Sequence, residues 1–203
     1  MVKLSPAEAL KQDSRYLRGP LAEDLQSDSP VFSKPSQGLL KFHGAYQQDD
    51  RDIRKGAAEK SYSCMVRVSI PGGAVTSTQY LALDDLAAQG DGTLRITSRQ
   101  GIQYHVVLKK NIKFLIQQIV DSGLNTLAAC GDVVRNVVAP AEPFPDQRQA
   151  LLRPYVLLLA RELKPHTEAY AEIWLDGEKA ISFHAPENAT SPVDTGDAAE
   201  PLY

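Results

Sequence analysis

The central part of the chain alternates stretches of two-residue hydrophobic period with stretches of helical period. Cys64–Ile70 alternates apolar and polar positions and predicts a strand, and Leu94–Arg99 followed by Gln103–Lys109 predicts a hairpin. Thr76–Ala88 and Asn111–Ser122 carry apolar residues at helical spacing. In the second of these helices we expect Phe114, Leu115, Ile119 and Val120 to face inward. This order of strand, helix, hairpin and helix indicates an α+β sandwich whose helices cover one face of the sheet and leave the other free.

The segments before this unit have weaker patterns. Ser5, Pro6 and Glu8 form a helix-start signature, which predicts a short amphipathic helix. Ser27–Gly38 is rich in Ser, Pro and Asp and predicts a loop, and Leu39–Phe42 predicts a short apolar strand.

The segments after it begin with a proline-rich linker at Pro140–Pro145, a plausible domain boundary. Gln147–Leu163 predicts a helix, with Leu151, Leu152, Tyr155, Leu158 and Leu159 at helical spacing. Tyr170–Leu175 and Lys179–Phe183 flank an Asp-Gly pair, a strong signal for a hairpin turn. Residues 185–203 are rich in Pro, Asp, Thr, Ser and Ala, and we expect a flexible tail there.

One face of the predicted sheet carries a concentration of polar and cationic side chains. Successive strand residues point to opposite faces, so these positions share one side while Leu94 and Ile96 take the other. The polar set consists of Arg67, Arg95, Thr97, Arg99, Gln103 and His105. Clustered arginines repel one another unless an anion lies among them, and Arg135 follows in a later loop. Solvated arginines are the alternative interpretation, but the set favours a polyanion site.

Composition narrows the class of protein. The chain has 203 residues, 43% of them hydrophobic, and a formal net charge of −3, which argues against nucleic-acid or membrane-surface binding as its main activity. It contains no apolar run long enough to span a membrane. Two cysteines without a paired framework, Cys64 and Cys130, favour a cytoplasmic location. We expect Cys64 to be half-buried in its strand and Cys130 not to be a reactive thiol, and the histidines show no spacing typical of a metal site.

Several motifs carry a resemblance to a known family. Cys64–Gly73, Thr93–His105 and Ala129–Val137 resemble the N-terminal half of the siroheme-dependent sulfite and nitrite reductases. Lys41–Arg54 resembles a segment typical of the sulfite reductase hemoprotein (beta) subunit, and Ala169–Glu178 is similar to a later segment. The resemblance extends over nearly the whole chain and implies a ferredoxin-like α/β half-domain.

The resemblance also implies roles for individual residues. Arg67 and Arg135 match arginines that contact the substrate anion and are the catalytic candidates. The cofactor-binding candidates, which match residues lining the tetrapyrrole or lie beside them, are Arg95, Thr97, Arg99, Gln100, Gln103, His105 and Asn136. Two departures from the family pattern lie nearby: Val106 stands where glycine is usual, and Gly101 stands where threonine is common.

The activity implied is the six-electron reduction of sulfite to sulfide at a siroheme bridged to a [4Fe–4S] cluster. The electrons would come from a partner, either an NADPH-dependent flavoprotein subunit or a ferredoxin. Such a cluster needs four cysteine thiolates, and this chain has two cysteines without cluster spacing. We therefore expect the chain to be about one third of such an enzyme, to share siroheme with a missing C-terminal half that ligates the cluster, and to be inactive alone. Two alternatives remain: a fragment of a siroheme nitrite reductase, and a non-catalytic module that binds tetrapyrrole or docks on a partner.

The resemblance and the sequence pattern together predict four parts. Residues 1–60 form an N-terminal arm that wraps around a partner, and residues 61–138 form the ferredoxin-like half-domain. Residues 139–184 begin a second α/β domain of the siroheme and cluster type, and residues 185–203 form the tail.

Overall fold

A four-stranded antiparallel sheet forms the centre of the molecule. The computed structural model describes residues 4–15, 17–49, 60–131, 133–141, 147–164, 172–175 and 178–182. The strands are β1 (Ala45–Asp49), β2 (Tyr62–Val68), β3 (Arg95–Ile96) and β4 (Ile102–Val107), in the spatial order β1-β2-β4-β3. The predicted α+β class and the hairpin of β3 and β4 are therefore confirmed.

Six α-helices and a second, two-stranded sheet complete the described structure. The helices are α1 (Pro6–Asp13), α2 (Leu21–Gln26), α3 (Lys34–Leu40), α4 (Ser77–Asp85), α5 (Lys109–Asp121) and α6 (Gln147–Glu162). Short 3₁₀ helices lie at Pro71–Gly73 and Leu86–Gln89, and the second sheet pairs β5 (Glu172–Leu175) with β6 (Glu178–Ser182). Among the described residues no helix is long and apolar enough to cross a membrane.

The helices α4 and α5 form where the sequence predicts them. Thr76 and Gln79 form a capping box at the start of α4, in which each side chain accepts a hydrogen bond from the other residue's backbone N–H. The helix α5 buries Ile112, Leu115 and Ile119 in the main core. The core side of β2 and β4 is equally apolar, and the fully buried Tyr104 donates its hydroxyl proton to Leu83 O at 2.9 Å.

The N-terminal segment departs from the sequence expectation. Residues 34–40 form α3 in place of the predicted loop and strand. Leu39 and Leu40, which lie on this helix, are buried. The polar segment that follows contributes β1, which pairs with β2 and forms an edge of the sheet. The sequence does not indicate β1, because an edge strand with a polar outer side lacks clear alternation of apolar and polar residues. Its stability comes from the ladder with β2 and from Gln47, whose Oε1 accepts a hydrogen bond from Phe32 N at 2.8 Å.

Several predictions about which side chains face inward are also wrong. Ile96 is 79% exposed, because β3 is only two residues long and lies at the sheet edge. Phe114 on α5 is exposed as well. On the face of β2 opposite the core, Met65 is buried, so this face is only partly free. In α6 the apolar residues that lie at helical spacing are exposed, namely Leu151, Leu152, Tyr155, Leu158 and Leu159. Within the described part of α6, Val156 is the buried hydrophobic residue, and it lies against Gly72.

Candidate anion-binding site

A row of polar side chains crosses the sheet at the register of Gln103. The Cα atoms of Arg67 on β2 and Arg95 on β3 both pair with that of Gln103 on β4. Because residues directly opposite one another share a face, the three side chains lie side by side. His105 lies two residues along β4 on the same face. The sequence prediction of a shared face is thus confirmed for these four residues.

The carboxamide of Gln103 connects two members of this row. The amide can be placed in two orientations, and hydrogen bonding favours the one in which its oxygen faces donors and its nitrogen faces an acceptor. In this orientation Gln103 Oε1 accepts hydrogen bonds from Arg67 Nη2 at 2.6 Å and from Arg67 Nε at 2.7 Å. Its nitrogen then donates to His105 Nε2 at 3.1 Å. The amide therefore fixes the orientation of the Arg67 guanidinium.

A loop that follows α5 places a further arginine, Arg135, at the same cavity as Arg67 and Gln103. The loop lies against the end of β2, because Ser69 N donates to Asn125 O and Gly72 N donates to Val137 O, both at 2.8 Å. Its carbonyl groups also orient the arginines, since Arg67 Nη1 donates to Ala129 O at 3.0 Å. Within the loop, Nε and Nη2 of Arg135 donate to Gly131 O at 3.1 and 3.0 Å.

Asn136 connects this loop to the β3–β4 turn. Its Nδ2 donates hydrogen bonds to Ile70 O and to Arg99 O, both at 2.7 Å. Its Oδ1 is buried and has no hydrogen-bond partner among the described residues. A buried acceptor without a donor is costly, so this oxygen is suited to a ligand or water that donates a hydrogen bond.

These residues enclose a small cavity of about 190 Å³. Its lining consists of Arg67, Val68, Thr97, Ser98, Arg99, Gly101, Gln103, Arg135 and Asn136. Six of the nine predicted site residues are in that set. The other three lining residues, Val68, Ser98 and Gly101, were not predicted as site residues. In the structure a Cβ at Gly101 would lie 2.8 Å from Val68 O, so the close approach of the two strands explains the glycine.

The other three predicted site residues lie outside the lining and have other contacts. Gln100 has a φ of 59° and joins the turn to Ala139: its Nε2 donates to Ala139 O at 2.6 Å and its Oε1 accepts from Ala139 N at 2.9 Å. Arg95 is paired with Asp91 at 3.1 Å, and His105 contacts Gln103. Gln100 therefore joins the β3–β4 turn to the segment that contains Ala139.

Burial and neighbouring charges tune the titratable groups of this face. Burial, the charge of Arg95 and the charge of Arg67 lower the pKa of His105, and the Asp91 carboxylate partly offsets them. Burial raises the pKa of the Cys130 thiol despite nearby cations, and raises that of Cys64 to about 12. Both cysteines are buried and free, and Cys64 is more deeply buried than the half-buried position expected. A raised pKa disfavours the thiolate, so neither is suited to be a nucleophile.

Val106 adopts an unusual backbone conformation beside His105. Its φ is 57°, in the left-handed region that is costly for a β-branched residue. The cause is a β-bulge, because the ladder between β2 and β4 shifts register between Cys64 and Val66. A positive φ explains why glycine is usual at this position in the family that the sequence resembles.

The geometry suits the recognition of anionic oxygen atoms. The lining of the cavity includes three arginines, Arg67, Arg99 and Arg135, together with Gln103 and Asn136. Guanidinium forks bind carboxylates and oxyanions through paired hydrogen bonds. The volume is below the ~300–1,000 Å³ of pockets that enclose a drug-sized ligand. The cavity can therefore hold a small oxyanion, or single carboxylates of a larger molecule lying across its mouth. The described residues include no group of three or more His, Cys, Asp or Glu side chains that could hold a metal ion.

Comparisons with known proteins agree with the resemblance carried by the motifs. Residues 57–121 match the nitrite/sulfite reductase ferredoxin-like half domain. The chain is 44% identical over 99% of its length to the ferredoxin sulfite reductase of Synechococcus elongatus, covering 33% of that protein. It is 41% and 43% identical to the NADPH sulfite reductase hemoprotein beta-components of Staphylococcus saprophyticus and Geobacillus kaustophilus, covering 34% of each. It thus spans about one third of the length of these relatives.

A solved structure supports the fold. The NirA protein of Mycobacterium tuberculosis superposes with a TM-score of 0.58 at 22% identity, over 76% of this chain and 32% of that protein. The chain therefore carries a nitrite/sulfite reductase ferredoxin-like half domain, within a sequence that is similar to sulfite reductases over nearly its whole length.

Proposed function

We propose that this chain is the N-terminal portion of an assimilatory sulfite reductase hemoprotein, which reduces sulfite to sulfide with six electrons. The observation that carries the proposal is the cavity whose lining includes Arg67, Arg99 and Arg135 together with Gln103 and Asn136. Sulfite is a small oxyanion, and its three oxygens are acceptors for guanidinium donors. The similarity to ferredoxin-dependent and NADPH-dependent sulfite reductases supports the same assignment.

The cofactor proposed for this site is siroheme, shared with a second half that ligates a [4Fe–4S] cluster. Siroheme carries eight carboxylates, and the donor set at the rim of the cavity is suited to them. The residues that would hold it are Arg95, Thr97, Arg99, Gln103, His105 and Asn136, and Gln100 would support their turn. When bound, siroheme and the cluster would supply the electrons.

The contribution of this chain is binding and electrostatics. Arg67 and Arg135 are fixed by backbone carbonyls, so their remaining N–H donors are oriented before an anion arrives. Fixed donors stabilise developing negative charge without a cost of reorganisation. The two arginines would therefore orient sulfite and neutralise its charge.

The remaining parts of the proposal concern partners and location. The electron donor would be a ferredoxin or an NADPH-dependent flavoprotein subunit, since the chain is similar both to a ferredoxin sulfite reductase and to NADPH sulfite reductase hemoprotein beta-components. The isolated chain would be inactive, because it lacks the thiolates for a cluster. A cytoplasmic location fits the two free, buried cysteines.

A chimaera tests the activity. This chain would replace the aligned third of the Synechococcus elongatus ferredoxin sulfite reductase, and sulfide production from sulfite would be measured with reduced ferredoxin. We expect activity in the chimaera and a loss of about 10²–10³ in kcat/KM for Arg67→Ala. A cofactor-loaded chimaera that reduces nitrite but not sulfite would favour the nitrite reductase alternative.

A second experiment addresses the non-catalytic alternative. The isolated chain would be incubated with siroheme, and its absorbance spectrum compared with that of an Arg95→Ala/Arg99→Ala double variant. A Soret-region band kept by the wild type and lost in the double variant supports cofactor binding at this face. Siroheme binding combined with a loaded but inactive chimaera would favour a tetrapyrrole-binding module.

A further inference from the structure

The contact of Gln103 with two neighbours constrains the protonation of His105. A guanidinium has five N–H donors and no acceptor, so only the amide oxygen of Gln103 can satisfy Arg67 Nε and Nη2. The NH₂ group of the amide is thereby directed to His105 Nε2. Since that nitrogen must accept a hydrogen bond, the imidazole is neutral and carries its proton on Nδ1.

Protonation of His105 breaks this arrangement. An imidazolium carries N–H groups on both ring nitrogens, so Nε2 would face the NH₂ group of Gln103 as a second donor. If the amide turns over to offer its oxygen to His105, its NH₂ group then faces two donors of Arg67. In either orientation one hydrogen-bonded contact is lost, and a pair of donors in a half-buried site is unfavourable.

The charges around His105 come from three elements. Arg67 lies on β2, Arg95 on β3, and Asp91 in the turn that precedes β3. The two arginines and burial favour the neutral imidazole, and the Asp91 carboxylate opposes them. The neutral form, which the hydrogen-bond geometry requires, is therefore also the form favoured at neutral pH.

We propose that Gln103 is a positioning residue that couples the orientation of the Arg67 guanidinium to the neutral, Nδ1-protonated state of His105. When the amide turns over to offer its oxygen to the protonated His105, Arg67 loses two of its three hydrogen bonds and keeps the contact with Ala129 O. The inference rests on the proposed function only in taking Arg67 as an anion-binding group. Its geometric part is independent of that function.

The coupling can be measured on the 203-residue chain by nitrogen-15 NMR. Long-range spectra of the histidine ring report the tautomer, and the Nε–H signal of Arg67 reports its protection from exchange. At pH 8 we expect an unprotonated Nε2 on His105 and a protected Arg67 Nε–H. As the pH falls, both signals should change with the same midpoint. A proton on Nε2 at pH 8, or an Arg67 signal that does not follow His105, would overturn the proposal.

Three variants separate positioning from folding. In Gln103→Glu one carboxylate oxygen can hold Arg67 while the other accepts from a protonated His105, so the His105 pKa should rise and Arg67 should stay protected at both pH values. In Gln103→Leu the protection of Arg67 Nε–H should fall at pH 8. Arg95→Ala alters the charge near His105 without touching the amide, so it should move both midpoints together. If Arg67 lost its protection in Gln103→Glu as it does in Gln103→Leu, the positioning role would be rejected.

Sulfate serves as the anion probe, because its charge is constant over this pH range. We expect sulfate to shift the Arg67 signal. For each protein, the Kd for sulfate below the His105 midpoint is divided by the Kd above it, and the ratio in Gln103→Glu serves as the control for net charge. The ratio in the wild type should be at least threefold larger than the ratio in Gln103→Glu. Coupled midpoints without any sulfate shift would support the positioning role and count against the proposed function. A Kd ratio that is the same in the wild type and in Gln103→Glu would overturn the link from His105 to anion affinity.

Discussion

Arg67 and Arg95 occupy the same row of the sheet, on the same face, one on each side of Gln103, yet they are held very differently. Arg67 is half-buried and makes three hydrogen bonds, two to Gln103 and one to Ala129 O. Arg95 is 53% exposed and is paired with Asp91, four residues away along the chain. Residue type and strand periodicity are identical for the two arginines. The difference comes from a loop 62 residues further along the chain, in which Ala129 O accepts a hydrogen bond from Arg67.

The two ends of the row are therefore held by different contacts: the Arg67 end by segments distant in the chain, and the Arg95 end by a local turn. The Arg67 end depends on the close approach of the segment after α3 to the loop after α5, through contacts such as Thr126 Oγ1 to His43 O at 2.7 Å. The Arg95 end depends on a local turn, in which Thr93 N and Oγ1 donate to Asp91 Oδ1 at 3.0 and 2.6 Å. Hydrogen bonds from Thr93 and the charge of Arg95 accordingly lower the pKa of Asp91.

The largest expected effect is a loss of stability when a glycine near the Arg67 end is replaced by alanine, compared with the same replacement near the Arg95 end. Gly44 has a φ of 79°, and a Cβ there would lie 2.1 Å from Thr126 O, while its own carbonyl accepts from Arg67 N at 2.9 Å. Gly92 has a φ of 78°, but a Cβ there would have no neighbour within 4 Å. Gly92→Ala should cost about 1–2 kcal/mol from backbone strain alone. Gly44→Ala adds a clash with backbone atoms and should cost roughly 3 kcal/mol or more. Urea unfolding of both variants measures the two costs, and equal values would contradict the comparison.

The arginines themselves should differ in their contribution to stability. Arg67→Ala leaves Gln103 Oε1 and Ala129 O without donors, which should lower the free energy of unfolding by roughly 1–3 kcal/mol. Arg95→Ala removes an exposed ion pair and should cost less than about 1 kcal/mol. Unfolding in urea at pH 8 gives both numbers. A cost for Arg95→Ala as large as that for Arg67→Ala would show that the two ends are equally anchored.

The same comparison explains what could be predicted from the sequence. The strand β2, the hairpin and the helices α4, α5 and α6 were predictable because each has its own period or turn signal. The segment 34–49 was not, because α3 and β1 are stabilised by contacts with distant residues. The exposure of the apolar residues of α6 was also unpredictable, since periodicity gives a face and not what covers it.

For the candidate site, residue type and strand face predicted the row, and the family motifs predicted most of the cavity lining. The hydrogen bonds that orient Arg67 and Arg135 were not predictable, because their acceptors include the backbone carbonyls of Ala129 and Gly131. A carbonyl group is present at every residue and leaves no signature in the sequence.

A smaller change in stability is expected at Val106, in the β-bulge of the ladder between β2 and β4. Val106→Gly removes the cost of a positive φ, of about 1–2 kcal/mol, and adds part of the entropy cost of glycine, of about 0.5–1 kcal/mol. The net result should be a stabilisation of about 0.5–1 kcal/mol, measured by urea unfolding. Val106→Ala is the matched control, because it trims the half-exposed side chain but keeps the strained φ. If alanine stabilised the protein as much as glycine, the side chain and not the backbone would be the cause.

The smallest effect concerns the Arg95 end alone and is a shift in the titration of His105. Arg95→Ala should raise the pKa of His105, because it removes a positive charge that disfavours the imidazolium. Asp91→Asn should lower that pKa, because it removes the carboxylate that favours the charged form. NMR titration of the ring protons measures both shifts, and movement in the same direction would contradict the assignment of charges.

The lowered histidine pKa values also predict how the free energy of unfolding depends on pH. His105 and the half-buried His43 both have pKa values lowered from the ordinary 6.5, so below about pH 6.5 the unfolded chain binds more protons than the folded one. The free energy of unfolding should therefore fall as the pH decreases through that range. Arg95→Ala brings the folded pKa of His105 closer to its unfolded value, so this variant should lose less stability than the wild type between pH 7 and pH 5. An exposed arginine that contributes little at pH 8 would then have its main effect through a neighbouring imidazole, whereas Arg67 acts through the hydrogen bonds that it makes itself.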